Sequence, residues 1–233
     1  MNKFLYQLSR PIISLYARGL LKLNVFQHAP LPEGPKILVA NHPTTSDPFF
    51  VALMAKQPAH ILIRANIFQV PLFGAYLRQL EHIPVVPGQG HKAFESAQQT
   101  LEAGCALILF PEGRLSPRRG GFRQPRTGAA RLALSTGAPI IPIGIHLLRE
   151  GIQYIKGKIG DELTVSRWPL CGPYTMTIGK AMYFEGDVED HELVRTLSTH
   201  MMDCIIQLAR QSQSTMQTAS GALKAPTWNP SGF

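Results

Sequence analysis

The chain has 233 residues, 45% hydrophobic and only 16% charged, which excludes a disordered chain, poor in apolar residues and rich in charge, and suits one domain with appendages. Lys and Arg number 23 against 15 Asp and Glu, a net charge of +8, so an anionic partner is expected: nucleic acid, an acidic membrane surface or a phosphorylated substrate. The 3 cysteines form no C-x-x-C pair, which excludes a disulfide framework and a thiolate zinc site and fits a reducing compartment.

Residues 2–26 read as one or two amphipathic helices, interrupted at Pro11. Lys3, Gln7, Arg10, Ser14, Arg18 and Lys22 recur every three or four positions, with Phe4, Leu5, Leu8, Ile12, Ile13, Leu15, Tyr16 and Leu20 between them. Such a helix suits a membrane interface or the surface of its own domain. The first six residues contain no continuous apolar run, so no cleaved signal peptide is expected. No stretch reaches the ~18 apolar residues of a spanning helix.

The middle of the chain alternates short apolar runs with helical patterns. Strands are predicted at 36–40, 60–64, 83–86, 105–110 and 140–147. Helices are predicted at 48–56, 72–81, 92–102 and 128–135. This alternation predicts an α/β fold with a mainly parallel or mixed central sheet flanked by helices. A late strand is predicted at 174–178 and a long helix at 188–210, while residues 150–173 fit no motif. The domain reading is an amphipathic membrane-association segment at 1–28, an α/β domain at 29–211 and a flexible Ser/Thr/Gly/Pro-rich tail at 212–233.

Two loops carry chemistry-bearing residues. Asn41-His42-Pro43-Thr44-Thr45-Ser46-Asp47 follows the strand 36–40, and Pro111-Glu112-Gly113-Arg114-Leu115-Ser116 follows the strand 105–110. In a parallel sheet both loops lie at one edge, where open α/β folds hold ligands. A His beside a carboxylate can take a proton from a hydroxyl near neutral pH, the carboxylate fixing its tautomer. Asp47 can equally cap the helix that follows, and Pro111 to Gly113 suit an ordinary turn. From Arg114 to Arg131 there are six Arg (114, 118, 119, 123, 126 and 131) and no acid. They form either an anion cradle or a solvated basic loop. Repeated aromatics are missing, and nucleic acid is not the expected partner. The remaining histidines share no metal-ligand spacing, so no metal is expected.

His42 with Asp47 resembles the H-x4-D box of the glycerolipid acyltransferases, of the 1-acylglycerol-3-phosphate type. Phe110-Pro111-Glu112-Gly113-Arg114 resembles their second signature box. Ile63-Arg64 with Pro71-Leu72-Phe73-Gly74, and Ala138-Pro139-Ile140-Ile141-Pro142-Ile143, are similar to two further blocks, in the same order over residues 36–147. The resemblance implies an O-acyltransferase. Its donor would be an acyl thioester (acyl-CoA or acyl carrier protein) and its acceptor a lysophospholipid, with 1-acylglycerol-3-phosphate the leading candidate. His42 would be the general base and Asp47 its orienting partner. Glu112, Gly113, Arg114 and Arg64 would bind substrate, with no cofactor, at the cytoplasmic face of a membrane as a peripheral or monotopic protein. One block departs from the family: Ile83-Pro84-Val85-Val86-Pro87 has Pro87 where an Arg associated with the acceptor phosphate usually stands. Other lysolipid or alcohol acceptors therefore remain open. So do an inert basic lipid-binding module and a hydrolase using the same His–Asp pair, although no G-x-S-x-G elbow is present.

Overall fold

The computed structural model describes residues 1–160 and 162–222. Its strands are β1 (Asn24–Gln27), β2 (Lys36–Ala40), β3 (Ala59–Arg64), β4 (Ile83–Val85), β5 (Ala106–Leu109), β6 (Ile140–Leu147), β7 (Ile152–Ile159), β8 (Glu162–Pro169) and β9 (Tyr174–Ile178). Its α-helices are α1 (Lys3–Leu15), α2 (Asp47–Met54), α3 (Phe73–Gln79), α4 (Gly90–Glu102), α5 (Gly128–Thr136) and α6 (His191–Ala222). Seven strands form one sheet in the order β1-β9-β6-β2-β5-β3-β4, and β7 pairs with β8 in a separate hairpin. Within the large sheet all neighbours are parallel except β6 and β9. The sheet is therefore mixed, with β1 and β9 running against the other five strands.

The central strand β2, Lys-Ile-Leu-Val-Ala, is buried throughout, as expected of a parallel strand covered on both faces. Ile37 and Val39 pack with Ala97 and Leu101 of α4, Leu132 of α5 and Met201 and Ile205 of α6. Leu38 and Ala40 face the other way, toward Phe50 and Val51 of α2 and toward Ala17, Leu21 and Tyr174. The register aligns Val39 with Leu109 of β5 and with Pro142 of β6. The loops that leave β2 and β5 thus emerge side by side. On the α6 face the close approach rests on Gly144, where a Cβ would lie 2.0 Å from the Ala209 backbone nitrogen.

Three readings of the sequence change here. First, α1 is continuous through Pro11, followed by a π-helical turn at Tyr16–Leu20, and residues 24–27 are a strand of the main sheet. Proline removes one helical hydrogen bond, and Arg10 next to it fastens the helix by donating to the carbonyls of Ala52, Leu53 and Ala55 at 3.1–3.2 Å. Val25 and Phe26 suit a strand as well as a helix, and pairing with β9 decides between them. Second, the helix expected to give way to a tail at 212 runs on as α6 to Ala222. Ser212 is buried, donating to Gly144 O at 2.9 Å and sharing a hydrogen bond with Thr177. Ser214, Thr215 and Thr218 turn their hydroxyls back to helix carbonyls, so a polar sequence satisfies itself within the helix. Residues 223–233 of the expected tail lie outside the described residues. Third, the unassigned stretch 150–173 contains β7 and β8, paired antiparallel.

Candidate active site

The loop after β2 is pinned at its root. The buried Asn41 amide donates to Ile145 O at 2.9 Å and accepts from Ile145 N at 2.7 Å, joining β2 to β6 beyond the regular ladder. His42 follows. Its ring stacks on Phe110, with centroids 4.0 Å apart and planes 20° from parallel. Its Nδ1 lies 3.0 Å from Asp47 Oδ2. Nε2 has no hydrogen-bond partner among the described residues, and the side chain keeps 16% exposure.

Asp47 opens α2 and is 0% exposed. A buried carboxylate needs donors on both oxygens. Oδ2 accepts from Thr44 N at 2.7 Å as well as facing His42, and Oδ1 accepts from the Thr44 hydroxyl and from Tyr174 OH, the latter at 2.7 Å. Burial first, and then the Asp47 charge, push the Tyr174 pKa well above the usual phenol value, so the phenol stays protonated and donates. With Asp47 held this way, the contact at Nδ1 suits the tautomer that donates to the carboxylate, and Nε2 is the ring nitrogen without a partner among the described residues.

The second loop braces the first. Glu112, 3% exposed, does not point into open space. Its Oε1 accepts from His42 N at 3.2 Å and from the Ser116 hydroxyl, and its Oε2 accepts from Arg123 N at 2.9 Å. Ser116 N donates to His42 O at 2.8 Å. Glu112, expected from the resemblance to hold substrate, thus braces the His42 backbone together with Ser116. Gly113 adopts φ +67°, a left-handed conformation that favours glycine. Arg114 is exposed, with no hydrogen-bond or ion-pair partner among the described residues. Arg64, a second expected substrate cation, is paired instead with Glu162 of the hairpin at 2.8 Å. Of the six residues expected at the site, His42 and Asp47 meet directly, Glu112 and Gly113 shape the loop, Arg114 stays open and Arg64 is engaged elsewhere.

Three contributors were not foreseen. Tyr174 reaches Asp47 from 127 positions away, because antiparallel β9 begins where β6 ends. Thr44 closes the turn onto Asp47. Arg167 of β8 donates to Ser116 O at 2.7 Å, while its backbone exchanges hydrogen bonds with Thr45, so the hairpin clamps both loops. Only Thr44, within three residues of Asp47, carries a local signal.

Comparison with known proteins bears on this arrangement. The Acyltransferase family model matches residues 22–146. A 1-acyl-sn-glycerol-3-phosphate acyltransferase of Pseudomonas aeruginosa is 26% identical over 163 residues, 67% of this chain and 58% of that protein. The chloroplastic 1-acyl-sn-glycerol-3-phosphate acyltransferase BAT2 of Brassica napus is 25% identical over 169 residues, 69% of this chain and 48% of that protein. The matched stretch thus spans about half the length of these relatives. The crystal structure of PlsC from Thermotoga maritima, a 1-acyl-sn-glycerophosphate (LPA) acyltransferase, superposes with a TM-score of 0.61 at 20% identity, covering 94% of this chain and 81% of that one. That likeness shows the fold.

Proposed function

The chain belongs to the acyltransferase family, and from that premise we propose that it moves a fatty acyl group from a thioester to the hydroxyl of a lysophospholipid, 1-acylglycerol-3-phosphate first among the acceptors. The named relatives act on that acceptor, and the basic composition suits a phosphorylated lipid. The observation that carries the reading is the His42 imidazole, held through Nδ1 by a fully buried Asp47 with Nε2 unclaimed.

The step balances as follows. His42 Nε2 accepts the acceptor's hydroxyl proton while the oxygen attacks the thioester carbonyl. A tetrahedral oxyanion forms. On its collapse the carbon–sulfur bond breaks, and the proton on Nε2 passes to the leaving thiolate. Ester and free thiol are the products, with no covalent enzyme intermediate. Asp47 stabilises the transient imidazolium and fixes the tautomer. This reading assigns Arg114 to the acceptor's phosphate, because a guanidinium can grip phosphate oxygens bidentately and Arg114 has no hydrogen-bond or ion-pair partner among the described residues.

The same reading includes peripheral attachment to lipid. No helix among the described residues is long and apolar enough to cross a membrane. On α1, Phe4, Leu8, Ile12 and Leu15 are 75%, 50%, 63% and 75% exposed, a stripe at helical spacing. The polar Arg10 faces the protein instead, donating to carbonyls of Ala52, Leu53 and Ala55. A helix that docks through Ile13 and Arg10 and leaves this apolar stripe outward has in a bilayer interface a partner for the stripe.

The test is to incubate the protein with labelled acyl-CoA and acyl carrier protein thioesters and a panel of lysolipids, identifying products by mass. Diacyl product from a phosphorylated lysolipid supports the reading. Fatty acid released at the same rate without any acceptor identifies a hydrolase instead.

A further inference from the structure

The β7–β8 hairpin forms a sheet of its own, apart from the seven-stranded one. Side chains along each strand alternate between its two faces, and directly paired residues share a face. Tyr154 with Arg167, Lys156 with Val165 and Lys158 with Leu163 form one of them. At the root that face is turned to the active-site loops: Arg167 donates to Ser116 O at 2.7 Å, and Arg118 lies over the Tyr154 ring at 4.1 Å. Toward the tip the same face is open. Leu163 is 84% and Val165 48% exposed, and Lys156 and Lys158 across from them are exposed as well.

The opposite face carries Ile155 with Ser166, Gly157 with Thr164, and Ile159 with Glu162. Glu162 anchors the tip, accepting from Arg64 at 2.8 Å and from the Asn66 amide at 2.5 Å. Arg64 ends β3, and Asn66 lies in the 3-10 turn after it. At the root the Tyr16 hydroxyl donates to Pro169 O, and Gly172 N donates to Leu20 O at 3.2 Å. The hairpin is thus held at both ends, and its root is tied to the segment that follows α1. Among the described residues of β7 and β8, Glu162 is the one acid, and it sits on the anchored face. Cations and apolar groups share the open face without a counter-charge.

We infer that the open face of this hairpin is a contact surface for an anionic bilayer, additional to the apolar stripe of α1. Leu163 and Val165 enter the interface, and Lys156 and Lys158 run their stems along it toward the lipid phosphates. Charge selects the occupant, because a face with lysines and no acid among its described residues complements anionic headgroups. The cross-strand pairing selects it too, since each apolar side chain that leaves water has a cation beside it at headgroup level. A purely electrostatic protein contact would use the lysines and leave Leu163 in water. The root of the same face adjoins the active-site loops, so docking of the tip sets those loops at headgroup depth. The inference goes beyond acyl transfer, and vesicle binding, measured without turnover, keeps its failure distinct from that of the proposed reaction.

The test is co-sedimentation of the full chain with vesicles of phosphatidylcholine, with and without phosphatidylglycerol, folding being matched by circular dichroism. Leu163→Thr combined with Val165→Thr places β-branched residues in the strand and is expected to weaken binding to the anionic vesicles by at least about tenfold. Lys156→Gln is expected to weaken it about fivefold with phosphatidylglycerol present and to change nothing without it. Ile155→Thr, which alters an exposed apolar residue of the opposite face, is expected to bind as wild type does. Equal binding by the wild type and the double variant overturns the proposal, as does an equal loss in Ile155→Thr. Weakened binding of acyl carrier protein by Lys156→Gln, with vesicle binding intact in that variant and in the double variant, assigns the face to an acidic protein and overturns it as well.

Discussion

Asp47 is accommodated at zero exposure because Thr44 twice, Tyr174 and His42 surround it with hydrogen-bonding groups. Removing one donor leaves a buried lone pair unpaid. Tyr174→Phe is therefore expected to lower unfolding stability by about 1–3 kcal/mol in denaturant titration and to reduce turnover through a less firmly held His42; unchanged stability would mean that the phenol bond is dispensable. At Arg114 the expectation concerns binding. Arg114→Ala is expected to raise the acceptor's KM by about tenfold or more while leaving the donor's KM unchanged, and an unaltered acceptor KM removes Arg114 from the phosphate. The His42–Asp47 pair was legible because its partners stand five positions apart and close one turn. The Tyr174 contact was not, since it depends on the direction of a strand far along the chain.

At the scale of elements, the N-terminal helix shows how period without partner misleads. Its alternation of cations and apolar residues was readable, but not that Arg10 turns inward to α2 while Phe4, Leu8, Ile12 and Leu15 turn out. Leu8→Gln with Ile12→Gln is expected to reduce co-sedimentation with anionic vesicles by at least about tenfold, with the fold intact because neither side chain is part of the core. Undiminished sedimentation would assign membrane contact to another surface. A second element-level expectation concerns His82, between α3 and β4. Burial, and then the neighbouring His60 charge, lower its pKa to about 4, and its Nδ1 accepts from Ile61 N at 3.3 Å, which requires the neutral ring. An unfolded histidine titrates near 6.5, so the unfolded state binds the extra proton first. The stabilisation is present above pH ~6.5 and is lost as pH falls toward ~4, by about 3 kcal/mol in all. Denaturant midpoints measured across that range are expected to fall with pH in the wild type and to flatten in His82→Leu. The β7–β8 hairpin left no comparable trace in the sequence, because its exposed strands lack a buried face to impose alternation.

For the whole molecule, the sheet order does the assembling. Parallel β2 and β5 are neighbours, so loops 70 residues apart share one edge, and that much followed from strands alternating with helices. What did not follow is the reversal of β1 and β9. It brings Tyr174 under Asp47 and leaves β1, read as the end of a helix, as an edge strand of the same sheet. The arginine run after β5 was visible as charge, but its convergence with Arg149, Arg167 and Arg210 needs three more elements folded against it. The central claim is that one imidazole, aimed by a buried carboxylate, takes the acceptor's proton. Its most direct test is the rate of acceptor-dependent thiol release from an acyl thioester by the wild type and by His42→Ala, matched for folding by circular dichroism. The account expects a loss of at least about a hundredfold; equal rates from a folded variant would contradict it.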